Sequence, residues 1–210
     1  MTEDQARERI VLHGRSLFER GFGVGSSGNL SVRLGDRYLM TPTNACLGRL
    51  DPKRLSLLDA QGELLDGDQP TKEAFLHLAM YGRRPSDRAL VHLHSTYSVA
   101  VSCLADVNEA DVLPPLTAYY VMRVGRLPLV PFYPPGDKSL AAAVERLADR
   151  HHAVLISNHG PVVAGADLDR AVYAIEELEE TAKLYLLLRG SATRPLTDAQ
   201  VADLRERFPS

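Results

Sequence analysis

The sequence predicts one α/β sandwich on a largely antiparallel or mixed sheet. Hairpin signatures alternate with segments of helical apolar periodicity, which is the pattern of a sheet covered by helices. No Pro-, Gly- or Ser-rich linker divides the 210 residues, of which 45% are apolar, so a single domain spanning 1–210 is expected. Its core lies at about 5–190, and a polar tail follows.

Residues Glu3–Arg20 open the chain as a helix, with Ile10, Val11, Leu17 and Phe18 at helical spacing and Gly21 as the stop. The stretch GFGVGSSGNLSVRLGDRYLMTPT then reads as a glycine-rich loop and a hairpin, with strands at about Leu30–Leu34 and Tyr38–Thr41 turning at Gly35 and Asp36. Asp51 and Pro52 cap a short helical turn. LSLLDAQGELLDGD forms a second hairpin around Gln61 and Gly62. Thr71 is placed to cap a helix through Tyr81 whose stripe is Ala74, Phe75, Leu78 and Ala79. ALVHLHSTYSV starts as a strand and passes into a helical stretch from Tyr97 to Leu104. A proline-broken strand in VGRLPLVPF, a helix at 139–150, a buried strand in AVLISN and a shorter one in PVVAG follow. Asp167 opens the longest helix, to about Arg189.

Composition excludes several partners. A net charge of -3 and a pI near 6.2 argue against nucleic acid or an anionic membrane surface. The charged start MTEDQARERI has no apolar signal region, and no apolar stretch is long enough to span a bilayer. Cys46 and Cys103 lie far apart and read as buried thiols of a cytoplasmic protein.

The run ALVHLHSTYSV holds the first chemical feature. Alternate residues of a strand share a face, so Leu90, His92 and His94 point one way while Ala89, Val91 and Leu93 point to the core. Two convergent imidazoles suit a divalent transition metal; one core and one exposed histidine would give the same spacing. SNHGP sets His159 just past a buried strand, and Glu73 lies at the start of the Thr71 helix, where complementing the helix dipole would also explain it. His13, His77, His151 and His152 receive no role.

An anion site is the second feature. Gly25 and Gly28 in GSSGNLS can aim backbone amides at an anion, beside side-chain donors on Asn29 and Ser31. TPTNA adds Thr43 and Asn44. The start of the Thr71 helix adds free amides, the Thr71 hydroxyl and Lys72. An anion held there would bring the rest of a small substrate close to Glu73.

GNLS, TPT, PTKE, HLHS and NHG occur in the order found in class II aldolase and adducin-like proteins, a resemblance covering about residues 5–190. It implies a three-layer α/β/α sandwich around an antiparallel-rich mixed sheet, assembled as a homotetramer with sites at subunit interfaces. It implies one zinc ion per subunit on His92, His94 and His159, with Glu73 as a further ligand and as acid/base. It implies phosphate binding by Gly28, Asn29, Thr43, Asn44, Thr71 and Lys72, and a catalytic tyrosine at Tyr119, with Tyr120 the neighbouring register. Longer segments such as DQPTKEAFLHLAMY and VLPPLTAYYVMRVGRLPLVPFYPPGD are similar to the subgroup that decarboxylates a four-carbon 3-oxo acid phosphate, 3-oxo-tetronate 4-phosphate, to dihydroxyacetone phosphate. Loss of CO2 from such an acid leaves an enediolate, whose charge calls for a Lewis acid. The expected partner is therefore a small phosphorylated sugar acid in the cytoplasm. Aldol cleavage or 4-epimerisation of a sugar phosphate uses the same scaffold. An iron oxygenase or a metal-free adducin-like binding protein are the readings from other classes. The carboxylate partner stays open among Arg49, Arg123 and Lys138.

Overall fold

The structure is a computed structural model and describes residues 1–208. Eight strands form one sheet in the order β4-β3-β2-β1-β5-β8-β7-β6. They are β1 (Asn29–Leu34), β2 (Arg37–Met40), β3 (Ser56–Leu58), β4 (Leu64–Asp66), β5 (Ala89–His92), β6 (Leu129–Val130), β7 (Ala153–Ile156) and β8 (Gly160–Gly165). Every neighbouring pair is antiparallel except β6–β7, so the sheet is mixed and antiparallel-rich as predicted.

Among the described residues seven α-helices accompany it: α1 (Glu3–Glu19), α2 (Ala74–Arg83), α3 (Thr96–Ser102), α4 (Ala118–Arg123), α5 (Ser139–Ala148), α6 (Leu168–Leu188) and α7 (Asp198–Arg207). Strand alternation divides the core into two. Ala89 and Val91 of β5 face a cluster with Ile10 and Leu17 of α1 and Ile175 and Leu178 of α6. Leu90, between them, faces the opposite cluster with Leu76 and Met80 of α2 and Val144 of α5. Helices thus cover both faces, and the polar groups of the site gather at one end of the central strands.

Several local readings need correction. The helix assigned to a Thr71 cap begins at Ala74, with Glu73 as its N-cap residue. An isolated bridge between Pro42 and Pro70, and the bond from Thr71 N–H to the Thr41 carbonyl (3.2 Å), hold residues 70–71 extended against the end of β2. His94 lies beyond the end of β5, in the link to α3. Helices α4 and α7 were not anticipated, and α7 occupies what reads as a polar tail. Cys103 is exposed and Cys46 half-buried, so neither is the core thiol expected. No helix among the described residues is long and apolar enough to cross a membrane.

Candidate metal centre and substrate cleft

Each histidine of the cluster is fixed by a backbone feature. His92 ends β5, and its Nδ1 lies 2.8 Å from the Pro161 carbonyl. The carbonyl accepts, so Nδ1 carries a proton and the ring turns Nε2 toward the cluster, which is how ligating histidines are commonly oriented. His159 sits in the tight β7–β8 connection, where Asn158 adopts a left-handed φ of 55°. Gly160 follows at φ 153°, and a Cβ there would lie 2.1 Å from the Leu93 carbonyl oxygen. Only glycine lets the His159 hairpin press against the link that carries His94.

The Nε2 atoms of His92 and His94 are 3.1 Å apart, as are those of His159 and His94. Glu73 places Oε1 3.1 Å from His159 Nε2 and Oε2 3.4 Å from His92 Nε2. Ligands at zinc-like bond lengths on a tetrahedron lie about 3.3 Å from one another. The four donor atoms fall within 4.8 Å of each other, so the set fits a small divalent cation held by three nitrogens and one carboxylate oxygen. The predicted metal ligands therefore converge, from three separate parts of the chain.

Electrostatics follow from that convergence. Burial alone would push the Glu73 carboxyl up, but the pull of His92 and hydrogen bonds from His159, His92 and Asn29 hold it well below the usual carboxylate range. Burial also opposes a charge on His92, yet the adjoining carboxylate keeps that imidazole above its ordinary value. His94 is driven down to about 3 by burial and by its two histidine neighbours, and so offers a neutral ring.

Glu73, His94 and His159 open into a cleft of about 720 Å³, with His92 buried behind them. Gly28, Asn29, Thr43, Asn44, Thr71 and Lys72 all line it, so the residues expected at a phosphate share one wall with the cluster. The supply of free amides is smaller than expected. Thr71 N–H bonds to the Thr41 carbonyl, Glu73 N–H to the Thr71 hydroxyl (3.3 Å) and Ala74 N–H to the Thr71 carbonyl (3.1 Å). Helix α2 starts too late to present them, which leaves the Lys72 ammonium as the main cation of that wall.

Tyr119 is not brought to this cleft. It is 57% exposed on α4, with the Arg123 guanidinium 5.2 Å from its ring centre. Tyr120 is buried, and its hydroxyl has no hydrogen-bond partner among the described residues. Arg49, Arg123 and Lys138 do not line the cleft either. Phe132, Tyr133 and Pro135, with Val99 of α3, line it instead. The proline-rich run VPFYPPG marks this loop in the sequence, but nothing in its composition tells which way it folds.

His77 also belongs to the site, against the sequence reading. It is fully buried on α2, with Nε2 2.5 Å from Asn29 Oδ1 and Nδ1 2.7 Å from Ser31 Oγ. Asn29 Nδ2 in turn donates to Glu73 Oε2 at 2.7 Å.

Residues 8–186 match the Class II Aldolase and Adducin N-terminal domain. The chain is 51% identical over 208 residues to a 3-oxo-tetronate 4-phosphate decarboxylase of Haemophilus influenzae, covering 99% of each chain. It is 38% identical over 182 residues to an L-fuculose phosphate aldolase of Methanocaldococcus jannaschii, covering 86% of this chain and 96% of that one. The crystal structure of YgbL from Escherichia coli superposes with a TM-score of 0.94 at 48% identity, over 97% of this chain and 99% of that one.

Proposed function

This chain belongs to the class II aldolase and adducin family, and from that membership we propose that it decarboxylates 3-oxo-tetronate 4-phosphate to dihydroxyacetone phosphate and CO2. The observation that carries the reading is the cluster of Glu73, His92, His94 and His159 opening into the same cleft as Thr71 and Lys72. Relatives sharing about half of their residues with this chain bear the decarboxylase name, while the aldolases are more distant.

The residues divide the work. His92, His94 and His159 would hold the metal, which we take to be zinc, one per subunit; when bound it supplies a Lewis acid for the keto oxygen. Lys72, Thr71, Thr43, Asn44 and the Gly28–Asn29 turn would bind the phosphate and fix the four-carbon chain. The bond between the carboxylate carbon and its neighbour breaks, and the electron pair passes into the enediolate while CO2 departs. The carbon left behind must gain one proton, which we assign to Glu73. The enzyme is proposed to work in the cytoplasm as a homotetramer, with Tyr119 of the partner subunit completing the site.

The test is direct. Purified, zinc-loaded protein incubated with 3-oxo-tetronate 4-phosphate should release CO2 and triose phosphate in equal amounts. Cleavage of L-fuculose 1-phosphate at a higher kcat/KM would replace the decarboxylase reading by that of an aldolase.

A further inference from the structure

We infer that His77 is a positioning residue that locks the Asn29 side-chain amide with its NH2 group toward Glu73. This rests on the reading that Glu73 is the working carboxylate of the proposed reaction. The contacts form one buried line: Tyr81 Oη to Ser31 Oγ at 2.9 Å, Ser31 to His77, His77 to Asn29, and Asn29 to Glu73.

Proton directions along the line follow from one end. The Glu73 carboxylate only accepts, so Asn29 must present Nδ2 to it. Asn29 Oδ1 then faces His77 Nε2 and can only accept, so that nitrogen carries the proton. A neutral ring leaves Nδ1 as an acceptor, which requires the Ser31 hydroxyl to donate. Ser31 has no second proton, so Tyr81 donates to Ser31. Burial keeps His77 neutral, with its pKa lowered to about 3, and keeps the Tyr81 phenol protonated. Tyr81, Ser31, His77 and Asn29 are buried, Glu73 is half-buried, and one arrangement satisfies them all.

The sequence builds the line by matching two periodicities. Glu73, His77 and Tyr81 recur every four residues along α2, a rise of about 6 Å. Asn29 and Ser31 share one face of β1, about 6.8 Å apart. The spacings nearly coincide, so a helix lying on that strand pairs the two rows in register. Without the His77 N–H, the Asn29 amide is free to turn over and set its oxygen against the Glu73 carboxylate, which would push that carboxylate out of place.

The test joins a tautomer measurement to kinetics on the full chain. Protein labelled with 15N-histidine should show His77 as the Nε2–H tautomer, its resonance assigned by loss in His77→Gln. His77→Gln keeps a donor near the Nε2 position and should hold kcat within about threefold of wild type. His77→Leu should lose about 10–100-fold in kcat, the range for residues that orient a metal site, with KM and metal content little changed. An Nδ1–H tautomer, a His77→Leu enzyme at wild-type kcat, or an equal fall in both variants would each overturn the inference. Should His77→Leu fail to fold, Ser31→Ala decides: a lower kcat with a mixed His77 tautomer supports the lock, and unchanged kcat and tautomer refute it. If the wild type releases no CO2 from the keto acid, the proposed reaction falls, while the tautomer still tests the relay.

Discussion

In the proposed reaction Glu73 serves both as ligand and as proton donor, and its place in the fold bears on each role. Four protein ligands complete a tetrahedral set, as in a closed site, so a substrate that chelates the metal has to displace one. The histidines are fixed by β5, the link after it and the β7–β8 hairpin, whereas Glu73 stands at a helix N-cap on a side chain with three torsions. It is the ligand free to swing. In the resting cluster its carboxyl is held low against the burial that opposes its charge, and parting from His92 and His159 removes most of that pull, which moves it toward the protonated acid. Glu73→Gln should therefore retain zinc on the three histidines but lose about 10²–10⁴-fold in turnover. Normal turnover with normal stereospecific deuteration of the product in D2O would exclude Glu73 as the donor. By contrast, His92→Ala, His94→Ala and His159→Ala should each remove metal, read by elemental analysis, while circular dichroism shows a folded chain. The four residues that converge as candidate metal ligands were legible in the sequence because each sits in a short motif. His77 was not, since a histidine on an apolar helix face looks the same whether it is filler or one link of a hydrogen-bonded row.

Among the elements, the strands could be read from hairpin chemistry and the ends of several helices could not. Thr71 carries the residue type of a cap, yet the pairing of Pro70 with Pro42 keeps it extended and delays α2 by two residues. Local propensity yields here to a tertiary contact. Helix α7 has a capping box in Thr197 and Gln200, a signal that was present, but no buried residue, so no apolar stripe accompanied it. The late start of α2 changes what is expected of the phosphate wall. With most local amides already bonded, Lys72→Ala and Thr71→Ala should raise KM for the phosphorylated acid without altering zinc content. Equal KM values in wild type and both variants would move the phosphate elsewhere. The β7–β8 hairpin gives a sharper case. Gly160→Ala forces a Cβ against the Leu93 carbonyl at a positive φ, a strain of about 1–3 kcal/mol or more. A lowered Tm together with weakened zinc binding is expected, because the same contact positions His159 against His94. A variant as stable as wild type and binding zinc as tightly would show that the close approach is not needed.

At the scale of the whole molecule, the placement of Tyr119 is the feature that a single chain does not explain. The residue is exposed on α4 and does not line the cleft, and the surface also exposes Tyr173, Leu184, Leu187 and Leu188 along α6. A helix with large apolar side chains on its outer face is the kind of surface that packs against another subunit. If Tyr119 serves the site of a neighbour in a homotetramer, the protein should sediment at four times 23.1 kDa, and Tyr119→Phe should lose activity while keeping zinc. Subunit mixing separates action within a chain from action between chains. Co-expressed Glu73→Gln and Tyr119→Phe subunits, each inactive alone, form hybrids in which some sites combine an intact Glu73 from one chain with an intact Tyr119 from another. Recovered activity in the purified hybrid would place the tyrosine across an interface. If each site drew both residues from the same chain, every site would carry one defect and the hybrid would stay inactive. A Tyr119→Phe enzyme with full turnover would remove the residue from the mechanism altogether.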